Sequence, residues 1–431
     1  MRQLRRNISI TVAMLLGCAV LPTCWSAQSV DAAKLHDEAI VVDGHVHIIT
    51  PVFHQGIDPW KVQETGLFDY ARAKQGGLDV VVHNVYIEDP YNNYNYAVKQ
   101  ACRLIEIFYQ VLDANSDKME LALTSADVRR IVAKGKMAAI LALEGGFDTE
   151  GDLDVLRLFH RLGVRMIQPI SHNTTNAFMD AGLGITRWGG LTEQGRRVIS
   201  EMNRLGILID LSHATDEAKL QIIEASRAPV VGSHHGLRRF VEHKRNLSDE
   251  VLKAMAAKGG LMGMHSSSGY IGVKLAEWRK ARSTATAGRS SAPRLRHLIE
   301  GFEFHRPAYE DFGAYIAKLD AKMHDRWNSG GYGTPWREAH RKAIEAGRPL
   351  PTVDDWADLV DYVVENVGDS HVGIGLDLMS GPNIVDFDAT GYGRLTEALL
   401  KKGYSEQRMK KILGENWLRP WGSLGMVSQA Q

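Results

Sequence analysis

The chain has 431 residues, 44% of them hydrophobic and 24% charged, with 51 basic against 51 acidic side chains. That is an ordinary globular composition with ample apolar mass for a large core. Zero formal net charge and no long basic stretch argue against nucleic acid as the main partner.

Met1 to Arg6 form a positive start, Ile8 to Leu21 an apolar run too short to span a bilayer comfortably, and Ser26-Ala27 supply small residues. Residues 1–27 therefore read as a signal peptide, and residues 28–431 as one barrel domain of an exported protein, periplasmic or extracellular. Leu21-Pro22-Thr23-Cys24 is loosely similar to a lipoprotein processing site, so processing at Cys24 would add a lipid anchor and membrane association. Only Cys102 belongs to the body of the chain, so no disulfide framework is expected. Its amphipathic surroundings make it a core thiol.

Short β-branched apolar runs then alternate with helical patterns. The runs are Ile40–Asp43, Leu78–Val82, Ala138–Leu143, Arg165–Ile170, Ile207–Leu211, Pro229–Gly232, Gly260–Met264 and Val372–Leu376. Amphipathic stretches such as Asp152–Leu162, Thr192–Leu205, Asp216–Ala225 and Asp249–Ala257 lie between them, several opening on a capping Thr, Asp or Ser. Eight β-then-α repeats predict an α/β protein, a (β/α)8 TIM barrel. Continuous apolar runs suit strands buried on both faces. The pattern breaks over about residues 266–350, read as an insertion between strands 7 and 8 on the catalytic face. Within it, Ser283 to Pro293 looks like a flexible connection.

In such barrels chemistry sits where strands run out into the following loops. Those tips carry His45 and His47, then Glu144, His172, His213, His234 with His235, and Asp377. Imidazole is the commonest protein ligand for zinc-like metals, and two histidines at i and i+2 of a strand share a face. Four imidazoles and a carboxylate exceed the three protein ligands typical of one catalytic zinc, which points to two ions bridged by a glutamate. A hydroxide held between two such ions is a nucleophile at neutral pH. Asp377 then has a natural role as proton shuttle.

Taken together, Asp43-Gly44-His45, Leu143-Glu144-Gly145, Leu211-Ser212-His213, Ser233-His234, His243-Lys244-Arg245-Asn246 and Gly373-Ile374-Gly375-Leu376-Asp377 resemble the renal or membrane dipeptidase family of the amidohydrolase superfamily. The stretches Leu400–Glu406 and Lys411–Arg419 are also similar, and the likeness runs from about Asp37 to Trp421, interrupted by the insertion. The resemblance implies two zinc ions per chain, other divalent ions being compatible, with Glu144 as the bridge. One ion would also be held by His45 and His47, the other by His213 and His234. Asp377 would be the acid/base, His172 would bind substrate and steady the oxyanion, and Arg245 would grip the substrate's terminal carboxylate. His235 should point away from the metals by strand alternation. A homodimer is implied as well.

Three departures from the family pattern are expected to lie at the barrel mouth. His47 replaces the usual Asp, which raises the net charge of the site by one and disfavours cationic groups nearby. His83 stands where the second strand usually ends in an aromatic, and His265-Ser266-Ser267-Ser268 replaces a polar-aromatic pair. The leading expectation is a binuclear zinc hydrolase cleaving the amide bond of dipeptides or related small N-acyl amino acids. The same metal chemistry on another amide, an ester or a lactone is the first alternative, and a non-catalytic metal-containing binding protein the second.

Overall fold

The computed structural model describes residues 31–145, 151–170, 173–285, 309–379 and 381–429. The leader and most of the Ser283–Pro293 connection lie outside them. Among the described residues nine parallel strands form one sheet: β1 (Val42–Val46), β2 (Val80–Tyr86), β3 (Met119–Leu121), β4 (Met137–Glu144), β5 (Val164–Gln168), β6 (Leu208–Ile209), β7 (Val231–His235), β8 (Leu261–Met264) and β9 (Val372–Ile374). Eight run in the order β6-β5-β4-β2-β1-β9-β8-β7, and a bridge from Asp210 to Val231 joins the two ends. The expected (β/α)8 barrel is therefore present. β3 is the strand that sequence reading missed. It occupies the edge of β4 from Met137 to Ala139, below the point where β5 takes over at Leu141.

Side-chain parity builds two cores. Val80, Val82, Ala138, Ile140, Ala142, Met166 and Leu208 fill the barrel interior, closed by Trp417 and Trp421. Val81, Val85, Ala139, Leu141 and Leu143 face outward and join the larger core under the helices. The amphipathic helix Tyr96–Ala114 buries Leu104 and Phe108 there; truncating such an aromatic costs about 3–5 kcal/mol. Cys102 sits half-buried on the same helix as a free thiol. Helices Glu193–Leu205, Asp216–Ala225 and Asp249–Ala257 begin on the side-chain caps Thr192, Thr215 and Ser248, as the sequence indicates.

Two β-bulges aim the site. Opposite β2, Asp43 pairs with Val81 but Val46 with His83, so β1 spends one extra residue. Val42 faces the interior, and strict alternation would turn His45 outward; the bulge turns it back in. In β7, Gly232 pairs with Met262 but His235 with Met264, and the same device re-aims His234. Gly375 is needed beside this turn, because a Cβ there would sit 1.9 Å from the Ser233 carbonyl oxygen.

The insertion lies between β8 and β9. Its described part comprises helices Ser268–Ile271, Val273–Ala285, Tyr309–Asn328, Gly330–Gly333 and Trp336–Glu345. Helix Tyr309–Asn328 is fastened to the barrel at its last turn. Trp327 Nε1 donates to Glu88 Oε1 at 2.7 Å, Gln55 Nε2 donates to the Trp327 carbonyl at 2.6 Å, and Asn328 Nδ2 to the His54 carbonyl at 3.1 Å. The Trp327 and His54 rings stack within 5° of parallel.

Candidate metal centre and substrate cavity

Glu144 follows Ala138, Ile140 and Ala142 on the inward face of β4 and is 2% exposed. Its Oε2 lies 3.0 Å from His45 Nε2 and 2.9 Å from His47 Nε2. Its Oε1 lies 2.8 Å from His213 Nε2 and 3.9 Å from His234 Nε2. Each carboxylate oxygen thus faces a different pair of histidines. The five expected donors converge, and they form one continuous cluster, since the His45 and His234 rings are only 3.7 Å apart.

The surrounding hydrogen bonds fix how these rings are protonated. Ser233 Oγ has one proton and donates it to Asp210 Oδ2 at 2.5 Å. It must then accept from both His45 Nδ1, at 2.9 Å, and His234 Nδ1, at 2.8 Å. Asp210 is in turn held by the Ser212 and Ser233 backbone N–H groups. His47 Nδ1 donates to the Asn84 carbonyl at 3.1 Å. With Nδ1 protonated in all three rings, their three Nε2 atoms and the Glu144 carboxylate converge in a buried space. That donor set fits a borderline divalent cation such as zinc.

The same carboxylates draw positive charge into the cluster. Burial disfavours a charge on His47, but the carboxylates of Glu144 and Asp377 outweigh it and raise its pKa to about 9. Burial also penalises the Glu144 carboxylate, yet the surrounding imidazoles hold it well below the usual range. His234 is pushed well below the usual range by burial and by its positive neighbours.

Asp377 follows β9 in a left-handed backbone conformation, φ 51°, which Asp tolerates better than most residues. Its Oδ1 lies 3.4 Å from His47 Nε2 and its Oδ2 3.4 Å from His265 Nε2. His265 is a neighbour that sequence reading flagged only as a departure. Its Nδ1 accepts from the Ser266 and Ser267 backbone N–H groups at 2.8 and 3.1 Å, so the proton rests on Nε2, aimed at Asp377. Burial pushes its pKa down to about 4, keeping the ring neutral. The signal available in the sequence was its position directly after a barrel strand.

Arg245 is 4% exposed, and its Nη2 lies 2.8 Å from His234 Nε2. His235 points away from Glu144, as expected, and its Nδ1 donates to the Arg245 carbonyl at 2.7 Å. His172 lies outside the described residues. His83 does not reach the mouth. β2 runs on to Tyr86, so His83 falls mid-strand on the outward face, where it accepts from the Tyr70 hydroxyl at 2.7 Å and packs on Phe108. The aromatic at the end of this strand is Tyr86, its ring 5.5 Å from that of His47. Tyr86, Tyr270 and two insertion residues, Arg326 and Tyr332, complete a cavity of ≈ 210 Å³ over the donors. That is small beside the roughly 300–1,000 Å³ of sites for drug-sized ligands.

A model of the membrane dipeptidases, peptidase family M19, matches residues 30–431. The chain belongs to this family. The dipeptidase tcpJ of Claviceps purpurea (strain 20.1) is 27% identical over 406 residues, covering 90% of this chain and 78% of that protein. In structure, the probable dipeptidase PvdM from Pseudomonas aeruginosa is similar with a TM-score of 0.71 at 23% identity, over 92% of this chain and 98% of that one. A metallo peptidase from Rhodobacter sphaeroides, solved with a phosphinate mimic of the dipeptide L-Ala-D-Ala, is similar with a TM-score of 0.65 at 22% identity, over 89% and 99% of the two chains. Family membership makes the chain a metal-dependent hydrolase, which sets aside the non-catalytic alternative.

Proposed function

We propose that this M19 family member cleaves the amide bond of dipeptides and related small N-acyl amino acids with two zinc ions, which His45, His47, His213 and His234 would hold with Glu144 shared between them. The observation that carries the reading is the division of Glu144, one oxygen toward His45 and His47 and the other toward His213 and His234. Ions of this kind, when bound, polarise a carbonyl and make water acidic. The residues of the chain do the rest. Arg245 holds the terminal carboxylate through its guanidinium fork. Asp377 takes a proton from the attacking water at one carboxylate oxygen and returns it to the leaving amine. The Nε2–H of His265 orients Asp377, and His172 steadies the oxyanion. Residues 1–27 direct export to the periplasm or beyond, residues 28–431 form the barrel domain, and the working form is a homodimer.

Metal analysis of the purified chain combined with a dipeptide panel tests this. Two zinc ions per chain and release of free amino acids are expected. Asp377→Asn should keep the metal and lose about 10²–10⁴-fold in kcat. Full turnover by that variant, or no turnover of any amide bearing a free carboxylate, overturns the proposal. His47, in place of the family's Asp, favours a second reading: the same metal chemistry on a different amide, ester or lactone. Unchanged turnover after Arg245→Ala would select it.

A further inference from the structure

We propose that the insertion supplies a second anion-binding arm, Arg326, so that the preferred substrate is a dipeptide carrying a side-chain carboxylate besides its terminal one. This rests on the dipeptide reading above. Arg326 stands in the last turn of helix Tyr309–Asn328 and lines the cavity that holds Glu144, Asp377 and Arg245. Its guanidinium carbon lies 5.7 Å from the Tyr332 ring centroid. Among the described residues no carboxylate forms an ion pair with it. Glu88 acts on it through space without forming an ion pair, while Glu88 Oε1 accepts from Trp327 Nε1 at 2.7 Å and faces His54 Nε2 at 2.9 Å.

The arm is built in rather than loose. The residues directly after it are those that fasten the helix to the barrel: Trp327 through Glu88 and Gln55, Asn328 through the His54 carbonyl. A guanidinium that leaves an anchored helix end and rests against Tyr332 loses less freedom when it pairs than one on a free loop, which favours a planar, two-oxygen partner. The only carboxylates lining the cavity, among the described residues, are Glu144 and Asp377, and both are engaged with the histidine cluster. His47 further removes a negative charge that an aspartate would place there. A cationic side chain on the substrate would meet two guanidinium groups and no free acid, whereas a carboxylate would meet a guanidinium that is hydrogen-bonded to the Tyr332 side chain but, among the described residues, has no carboxylate partner.

The test uses the full chain loaded with zinc and four dipeptides: alanyl-alanine, alanyl-glutamate, glutamyl-alanine and lysyl-alanine, each with either stereochemistry at the C-terminal residue. At least one acidic dipeptide should exceed alanyl-alanine in kcat/KM by about tenfold or more, mostly through KM, as expected of hydrogen bonds to a charged group. Lysyl-alanine should be the poorest. Arg326→Gln should collapse the acidic-to-neutral ratio, and Arg326→Lys should keep part of it. Equal or slower cleavage of both acidic dipeptides overturns the inference, as does a preference that survives Arg326→Gln; either leaves dipeptide hydrolysis intact. Failure on all four overturns the functional proposal and this inference with it.

Discussion

If two ions bind as proposed, removing the Ser233 hydroxyl should weaken both halves of the metal centre at once. The hydroxyl donates to Asp210 and accepts from His45 Nδ1 and His234 Nδ1, and neither Ser233 nor His45 has any solvent exposure. In Ser233→Ala, two imidazole N–H groups lose their acceptor where water does not reach. A stranded buried donor costs about 1–3 kcal/mol, so the pair costs roughly 2–6 kcal/mol if the rings keep their tautomers. The rings escape that cost by moving the proton to Nε2, the nitrogen that faces Glu144. Metal affinity then falls, and the loss of an outer partner of this kind is worth about 10–100-fold, or about 1.4–2.7 kcal/mol. Competition with a chromophoric chelator measures it. Because His45 and His234 face opposite oxygens of Glu144, both binding steps should weaken. Ser212→Ala is the control, since Ser212 Oγ bonds Asp210 at 2.7 Å but lies 3.4 Å from Ser233 Oγ. Two binding steps within twofold of wild type in Ser233→Ala would refute the tautomer argument.

His83 gives the fold a pH dependence unrelated to catalysis. Burial lowers its pKa from 6.5 to about 3, so the unfolded chain binds a proton that the folded one refuses. Its stabilising contribution is complete above pH 6.5 and is lost as pH falls toward 3, by about 1.4 kcal/mol per pH unit. Urea unfolding of His83→Phe between pH 7 and 4 should show a shallower acid slope, and equal slopes would contradict the assignment. His47→Asp adds a negative charge beside Glu144; the kcat/KM ratio of acidic to neutral dipeptides should drop by about tenfold. An unchanged ratio would mean that His47 does not set the charge preference of the cavity.

The candidate metal donors were legible because each stands at the end of an apolar run, where a barrel strand meets its loop. Glu144 needed no more than alternation from Ala138, Ile140 and Ala142. His45 and His234 are different, because their orientation depends on bulges, and a bulge changes strand parity without leaving a mark in composition. His83 was misplaced for a related reason. The apolar run stops at Val82, but β2 continues through His83 and Asn84 to Tyr86, since both polar side chains find partners inside the fold: Tyr70 for one, the Gly44 carbonyl for the other. β3 is too short to stand out. Arg326 and Tyr332 were invisible as cavity residues because their place depends on how an inserted helix docks, which rests on buried contacts to Glu88 and His54 far away in sequence.

That docking separates two kinds of inheritance. The candidate metal donors come from the barrel strands and their tips, whereas part of the cavity wall comes from an inserted helix held by polar bonds at its last turn, by Asp320 to Tyr91 and Arg103, and by the buried Ile316, Leu319 and Met323. A segment exchanged for this one would have to bring its own hook for the Glu88 carboxylate, a partner for Arg103 and an apolar face for the core. A graft lacking such a hook would leave Glu88, 1% exposed, as a buried charge without its Trp327 partner, and would fail by unfolding rather than by accepting a new substrate. Selection among grafts would therefore act first on Glu88 and only afterwards on specificity.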